Sequence, residues 1–217
     1  RPDIQTAISF LCTRVKSPDH DDYKKLARVV RYLRRTKFLR LTLEAARLDK
    51  VDWWIDGAFA VHDDMRSHTG SYMSMGKGMM QGNSTKQKLN TTSSTEAELV
   101  GIHDTMPAVL WTSYFLEAQG YPVKPATIHQ DNMSTMLLAN NGRASSSKRT
   151  RHINIRYFFV KDRIASGELK IEYCPTQEMM ADFFTKPIQG KRFRIIRRDK
   201  PTSSKITIVF IETVRCA

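Results

Sequence analysis

Residues 51–60 read VDWWIDGAFA, a run in which apolar and aromatic residues surround a central aspartate. Two further extended stretches follow, TGSYMSMG at 69–76 and STKQKL at 84–89, with Gly and Ser residues between them. Aromatic and β-branched runs bounded by small turn residues are typical of strands joined by tight connections. This part of the sequence therefore predicts three neighbouring antiparallel strands.

A long helix is predicted after these strands. Residues 91–120 read TTSSTEAELVGIHDTMPAVLWTSYFLEAQG, with Ser and Thr as N-cap candidates and Gly120 as a stop signal. Thr95 and Glu98 have the spacing of a capping box. Pro107 is expected to kink or split the helix, because proline has no backbone N–H to donate.

The remaining elements alternate between strand and helix. The sequence predicts a strand at ATIHQ, a helix from Asn132 to Asn140, a basic loop, a helix at 153–167, a strand at LKIEYC and a helix after Pro175. The resulting order, βββαβααβα, predicts an α/β fold with a mixed five-stranded sheet and helices on both faces.

A small helical segment, residues 1–47, is predicted to precede the sheet. Its second helix, from about Asp22 to Thr36, repeats apolar residues at helical spacing, and the opposite face carries cations without intervening acids. A stripe of one sign repels itself, so we favour a contact with phosphate groups over a merely solvated face. The apolar residues are Leu26, Val29, Val30 and Leu33, and the cations are Lys24, Arg28, Arg31 and Arg35.

The composition favours a polyanionic partner. The 217 residues carry a formal charge of +13, which favours nucleic acid over a membrane in a chain without a long apolar span. Cys12, Cys174 and Cys216 are odd in number and form no CxxC pair, so a reducing, intracellular setting is expected. The chain opens on RPDIQTAISF without an initiator Met and is expected to be part of a larger polypeptide.

Four acids recur at places that this fold brings to one edge of its sheet. Hard oxygen ligands of this kind suit Mg²⁺ or Mn²⁺, and two such ions can activate water for phosphodiester hydrolysis. We expect the third acid to bridge or orient two ions, the first to contact both, and the other two to hold one each. These predicted catalytic and metal-binding residues are Asp56, Glu98, Asp131 and Asp182.

The motifs around these acids resemble one family. WWIDGAFA, STEAELVG, IHQDNMST and ADFFTKP, in this order, are similar to the ribonuclease H domain of copia-type LTR retrotransposon polyproteins. RPDIQTAISFLCTRVKSP and KKLARVVRYLRRTK resemble the end of the adjoining reverse transcriptase. The likeness covers residues 1 to about 195, and it favours Glu98 over the competing Glu96 as the metal ligand.

The resemblance implies a function and a division of the chain. The function is an endoribonuclease that hydrolyses the RNA strand of RNA–DNA hybrids with two Mg²⁺ ions. The expected partners are the hybrid duplex and the polymerase portion of the same polyprotein, in a cytoplasmic element particle or the nucleus. Residues 1–47 would be the thumb-like or connection-like end of the reverse transcriptase, 48–190 the ribonuclease H-like domain and 191–217 an irregular basic tail.

Several polar residues are candidates for binding the hybrid. Basic side chains would grip the two backbones, and Asn or Ser side chains could contact ribose 2′-OH groups, with helix capping as the alternative for Ser94 and Asn132. His152 either contacts a phosphate or packs. These candidates are Lys86, Lys88, Asn90, Ser94, Asn132, Lys148, Arg149, Arg151 and His152.

Two rival functions stay open on the sequence alone. One is a non-catalytic, nucleic-acid-binding remnant of a decayed element, although drift would be expected to erase one of the four acids. The other is a transposase or integrase nuclease of similar fold, which would usually place its Glu last, whereas the Glu here comes second.

Overall fold

The computed structural model describes residues 1–141, 151–197 and 210–211. After a 3₁₀ turn at Pro2–Ile4, the helices are α1 (Gln5–Thr13), α2 (His20–Arg35), α3 (Ser94–Ala118), α4 (Met133–Asn141), α5 (Arg151–Ala165), α6 (Asp182–Thr185) and α7 (Gly190–Arg197). The strands are β1 (Arg40–Leu41), β2 (Glu44–Ala45), β3 (Asp52–Ala58), β4 (His68–Ser74), β5 (Gly76–Lys77), β6 (Gln81–Lys86), β7 (Ala126–Gln130), β8 (Leu169–Tyr173) and β9 (Phe210–Ile211).

The central sheet has five strands in the order β6-β4-β3-β7-β8. β4 pairs antiparallel with both β3 and β6, whereas β7 pairs parallel with both β3 and β8. The predicted mixed five-stranded sheet and the three neighbouring antiparallel strands are therefore confirmed. β1 pairs with β9 and β2 with β5 in two short ladders outside this sheet.

Each face of the sheet has its own apolar core, because alternate residues of β3 point to opposite sides. Trp53 and Ile55 pack with Ile102 of α3 and Val160 of α5 on one face. Trp54 packs on the other face with residues that include Tyr72, Phe183 and Phe184, against which Phe193 of α7 is also packed. Helices therefore cover both faces, as predicted.

α3 runs without interruption through Pro107, so the predicted split is wrong. Its inner face buries Ile102, Met106 and Val109 in the core. Burial of three such side chains contributes about 1.5–3 kcal/mol each, which outweighs the roughly 3 kcal/mol cost of an internal proline. In the described part of the chain, no helix is both long and apolar enough to cross a bilayer.

The N-terminal segment packs against the sheet and the turn that carries Asp182. Gln5 Nε2 donates to Gly82 O at 3.0 Å, and Thr6 Oγ1 donates to Phe183 O at 2.6 Å. The Phe10 ring stacks on His62 and His68. α1 is therefore tied to β6 and α6, while the assignment of residues 1–47 to a reverse transcriptase stays a prediction.

α2 begins at a capping box, in which Asp19 and Asp22 each accept from the other's backbone N–H. Its predicted apolar face is only partly covered, because Val29 is buried whereas Leu26 and Val30 remain exposed. The helix is thus present, but much of the apolar stripe faces solvent.

The C-terminal part differs from the prediction in two places. The predicted helix after Pro175 is a 3₁₀ turn at Thr176–Glu178 followed by the single turn of α6. Residues 191–197 of the predicted irregular tail belong to α7, because Phe193 and Ile196 pack on the second core. The other residues predicted for this tail lie outside the described ranges, apart from β9.

Candidate metal centre

Asp56 and Asp131 reach the same end of the sheet because β3 and β7 are parallel. Trp54 pairs with His129 in this ladder, so both strands run towards the same end of the sheet. There Asp56 lies inside β3, and Asp131 follows the last residue of β7. Asp56 is buried and Asp131 is half-buried. These two acids therefore lie at the same end of the sheet, as predicted.

Gly57 allows α3 to deliver Glu98 to the same place. A Cβ at residue 57 would lie 2.8 Å from Ala97 O and Glu98 N, a distance that no side chain tolerates. The absence of a side chain at Gly57 lets the first turn of α3 lie directly on β3. Glu98 thereby enters the space beside Asp56, and its side chain is buried.

Asp56, Glu98 and Asp131 form a three-carboxylate cluster. One oxygen from each lies within 4.8 Å of the others, and the three residues line a pocket of about 530 Å³ together with Asn132 and Lys186. Three close anions repel one another unless protons or cations intervene. An all-oxygen donor set open to solvent fits a hard divalent cation such as Mg²⁺ or Mn²⁺.

The pKa of Glu98 lies well above its ordinary value. Burial is the main cause, and the neighbouring charge of Asp56 acts in the same direction. A hydrogen bond from Gln130 to Glu98 works against this rise. A carboxylate that is costly to ionise without a counter-charge is consistent with a cation site.

Glu96, the competing candidate, is used elsewhere. Ser93 is the N-cap of α3 and accepts from Glu96 N at 3.2 Å. The Glu96 carboxylate accepts from Thr92 N and Thr92 Oγ1, both at 2.7 Å. The capping pair is therefore Ser93 and Glu96, two residues before the predicted pair of Thr95 and Glu98. Glu98 is the glutamate that joins the carboxylate cluster.

Asp182 stands next to this cluster, paired with cations. Lys186 contacts one carboxylate oxygen of Asp182, and Arg192 donates to the other at 3.1 Å. The pKa of Asp182 is raised, first by burial and further by Asp56, although Lys186 opposes the rise. Among the described residues, the group of three or more such ligands within 4.8 Å of one another is the three-carboxylate cluster, which does not include Asp182.

Two further side chains of the α6 region reach Asp56. Thr185 Oγ1 donates a hydrogen bond to Asp56 Oδ2. Lys186 Nζ lies 3.8 Å from the same oxygen. Burial lowers the pKa of Lys186, but Asp56, Asp182 and Asp131 outweigh it and raise the pKa overall. The spacing of Lys186 four residues after Asp182 could have predicted this pair.

Arg192 and Gln130 are further site residues that the sequence analysis missed. Arg192 is ten residues from Asp182, a separation with no local signal. Gln130 precedes Asp131, and only the folded structure shows that its side chain turns back to Glu98.

The predicted nucleic-acid contacts are spread over several surfaces. Lys24 pairs with Asp21 and Lys86 with Asp64, so both are partly neutralised within the chain. Asn132 caps α4 by accepting from Ser134 N and Thr135 N, which agrees with the capping alternative. Lys24 is exposed, as are the candidates Arg28, Arg31, Arg35, Lys88, Asn90 and Ser94.

Ser94 is the first residue of α3 rather than its cap. The capping alternative for Ser94 is therefore wrong, and Ser93 takes that role. Lys148 and Arg149 lie outside the described residues, as do the side chains of Arg151 and His152 in the first turn of α5.

Comparison with known proteins places the chain among transposon proteins. Two retrovirus-related Pol polyproteins of Arabidopsis thaliana, from transposons RE2 and RE1, are each 31% identical over 205 and 201 residues, which is 91% and 89% of this chain. The chain is homologous to one segment of the retrovirus-related Pol polyproteins of transposons. The Pol polyprotein from transposon TNT 1-94 of Nicotiana tabacum is 27% identical over 91% of the chain. The resemblance found in the motifs is therefore confirmed.

The chain spans only about a seventh of the length of these Pol polyproteins, 14% for RE2 and 13% for RE1. No family model matches it. Among solved structures, LC11-RNase H1 in complex with an RNA/DNA hybrid aligns over 62% of this chain and 92% of its own, with 12% identity and a TM-score of 0.44. An N-terminal RNase H domain from Mycobacterium tuberculosis aligns over 63% of this chain and 90% of its own, with 14% identity and a TM-score of 0.42.

Proposed function

We propose that this segment of a Pol polyprotein is an endoribonuclease that hydrolyses the RNA strand of RNA–DNA hybrids. The observation that carries the proposal is the three-carboxylate cluster, whose oxygens lie within 4.8 Å of one another at one end of the sheet. The homology to transposon Pol polyproteins supports a role in element replication, where RNA template must be removed from new DNA.

Asp56, Glu98 and Asp131 would hold the first divalent cation, and Asp182 would join Asp56 in holding a second. Such ions supply Lewis-acid chemistry to the phosphate and lower the pKa of water. The donor set fits Mg²⁺ and Mn²⁺, because it consists of carboxylate oxygens on one open pocket. The chain itself contributes the rigid placement of these oxygens, on β3, at the end of β7 and on the first turn of α3.

Cations on the surface would bind the hybrid backbone. The chain carries a formal charge of +13, and exposed arginines of α2 offer phosphate contacts that need no base sequence. The polymerase portion of the polyprotein is the proposed second partner. The proposed setting is an element particle in the cytoplasm or the nucleus.

Cleavage of a labelled hybrid tests this proposal. The purified chain is incubated with Mg²⁺ and an RNA–DNA hybrid beside Asp131→Asn, which keeps the shape of the side chain but removes its charge. We expect the parent to cut the RNA strand, leaving 5′ phosphate and 3′ hydroxyl ends, and the variant to lose this activity.

Other outcomes of this experiment separate the rival functions. Equal cleavage by parent and variant would identify a contaminating nuclease, and binding without cleavage would favour the non-catalytic remnant. Cutting of the DNA strand would favour the transposase or integrase class. Contamination would withdraw the support of the observed cleavage, and either of the other two outcomes would overturn the ribonuclease proposal.

A further inference from the structure

Gln130 connects two members of the three-carboxylate cluster through a single buried side chain. It is the last residue of β7, fully buried between Glu98 and the turn that begins at Asp131. Its amide nitrogen donates to Glu98 Oε2 at 3.2 Å and approaches Ile55 O at 3.4 Å. Its amide oxygen accepts from the backbone N–H groups of Asp131 and Asn132 at 2.8 and 3.0 Å.

The orientation of this amide follows from its partners. Backbone N–H groups can only donate, so they must face the amide oxygen, while the nitrogen must face the Glu98 carboxylate and the Ile55 carbonyl. A carboxamide is suited to this place because it donates on one side and accepts on the other. Asn in the same place would be one methylene shorter, and Met would fill the volume without either bond.

We propose that Gln130 is a positioning residue that fixes the Glu98 carboxylate relative to Asp131, and thereby sets the spacing at which the cluster takes a divalent cation. This inference rests on the proposed function. Glu98 has a long side chain with several rotatable bonds, whereas the backbone of Asp131 follows directly from the last residue of β7. The hydrogen bonds of Gln130 link the Glu98 carboxylate to this backbone.

The energetic reason is that outer partners of metal ligands determine ligand geometry. Loss of such a partner typically lowers metal affinity or activity about 10- to 100-fold. The structural role of a buried amide must be separated from this effect, because any buried hydrogen-bonded amide also stabilises the fold.

Gln87 offers a matched control. It is 3% exposed, and its amide nitrogen donates to Thr69 Oγ1 at 2.9 Å and to Ala97 O at 2.8 Å, a hydroxyl and a backbone carbonyl rather than a carboxylate. Gln130→Met and Gln87→Met thus make the same chemical change at two buried sites, of which one contacts the cluster.

The experiment measures Mn²⁺ affinity by calorimetry on the whole chain, thermal unfolding in chelator, and kcat and KM for hybrid cleavage. We expect Gln130→Met to weaken Mn²⁺ binding about 10- to 100-fold and to lower kcat with little change in KM. Gln87→Met should keep Mn²⁺ affinity within about twofold of the parent and lower the unfolding midpoint less than Gln130→Met does, because Gln87 makes two hydrogen bonds and its buried amide oxygen has no hydrogen-bond partner among the described residues.

Parent-like Mn²⁺ affinity in Gln130→Met, or an equal loss in both variants, would overturn the inference. If Gln130→Met does not fold, Gln130→Asn keeps an amide in the core but is too short for both partners, and parent-like affinity there would also overturn it. If Gln130→Met weakens Mn²⁺ binding as expected but the parent leaves hybrids intact, the ribonuclease proposal alone would be refuted. A parent that cleaves hybrids, with an unaffected Gln130→Met, would refute the positioning role alone.

Discussion

The ammonium group of Lys186 lies 3.8 Å from Asp56 Oδ2. The same group contacts Asp182, so one ammonium group pairs with two of the four predicted catalytic acids. Without added metal, an internal lysine therefore offsets part of the repulsion among these carboxylates. A divalent cation that engages Asp56 and Asp182 must compete with this ammonium group.

Lys186→Met is expected to strengthen Mn²⁺ binding and to weaken the metal-free fold. The side chain of Lys186 is 45% exposed, so its pairing contributes about 1 kcal/mol, equivalent to about fivefold in affinity. Calorimetry would measure the affinity, and urea unfolding in chelator the stability. Lys191→Met, at an exposed lysine of α7, should change neither quantity. Weaker Mn²⁺ binding in Lys186→Met would show that Lys186 assists the cation rather than competing with it.

Glu98→Gln and Glu96→Gln should have opposite effects on stability in chelator, and only Glu98→Gln should strongly reduce hybrid cleavage. Burial raises the pKa of Glu98, so its contribution to stability is present below the unfolded pKa and is lost as pH rises through the folded value. At neutral pH in chelator, Glu98→Gln should therefore unfold at higher denaturant than the parent. Its hybrid cleavage should fall by more than about 100-fold, beyond the usual cost of losing an outer partner.

Glu96→Gln should keep cleavage within a few-fold and lose about 0.5–1 kcal/mol of unfolding free energy, because Glu96 accepts two hydrogen bonds from Thr92 at the start of α3. The reverse pattern, with Glu96→Gln inactive and Glu98→Gln active, would exchange the roles assigned to the two glutamates.

Acid should destabilise the fold through His68. Burial, followed by the neighbouring His62, lowers the pKa of His68 to about 4, while its contact with Phe184 opposes this shift. Between pH 6.5 and 4 the unfolded chain binds a proton that folded His68 does not, so the unfolding free energy falls as pH falls. The full loss is about 3 kcal/mol. Urea unfolding at pH 7, 6 and 5 measures this slope.

His68→Asn should flatten the pH dependence, even if it lowers stability throughout, and His103→Gln should leave the slope as in the parent. His68 is hydrogen-bonded to His62 at 3.0 Å and to Ser84 at 2.8 Å, which explains why it is buried in its neutral form. An unchanged slope in His68→Asn would assign the acid sensitivity to other groups.

The arginine stripe of α2 should contribute affinity for any duplex backbone. In the described residues, Arg28, Arg31 and Arg35 are exposed and form no ion pair. Replacing all three with Gln is expected to weaken hybrid binding and to reduce the slope of log affinity against log salt by about 2–3, since each phosphate contact contributes about 0.9. Fluorescence anisotropy across a salt series would measure this slope.

A control triple variant replaces three exposed cations that already have acidic partners, namely Lys77, Arg47 and Lys170. Their partners are Glu44, Asp49 and Glu172, respectively. It removes the same net charge from other surfaces. An equal loss of affinity and slope in both triple variants would indicate a diffuse charge effect rather than binding along α2.

Asp56 and Asp131 were predictable from the sequence because each depends on a local pattern. Asp56 lies inside a strand with a strong aromatic signal, and Asp131 directly follows another strand. Parallel pairing then brings both to one end of the sheet. The choice between Glu96 and Glu98 depended on the resemblance, since both lie in the first turns of one helix, and the structure separates them by their hydrogen bonds.

Other features depend on contacts distant in sequence and carry no local signal. Pro107 predicts a kinked or split helix, but the core contacts on both sides of it keep α3 continuous. The basic residues after Lys191 suggest a tail, yet Phe193 finds a place between Tyr32 and Phe183 that only the folded chain creates. Arg192, one of the two cations that pair with Asp182, likewise comes from α7, beyond the reach of any short motif.

Anomalous X-ray scattering from Mn²⁺-soaked crystals tests the central claim most directly, because it locates the ion relative to the carboxylates. We expect a manganese peak about 2.1 Å from oxygens of Asp56, Glu98 and Asp131, with Lys186 displaced from Asp56 when a second ion binds. Manganese bound only at surface carboxylates, with the three-carboxylate cluster free of it at saturating concentration, would contradict the account.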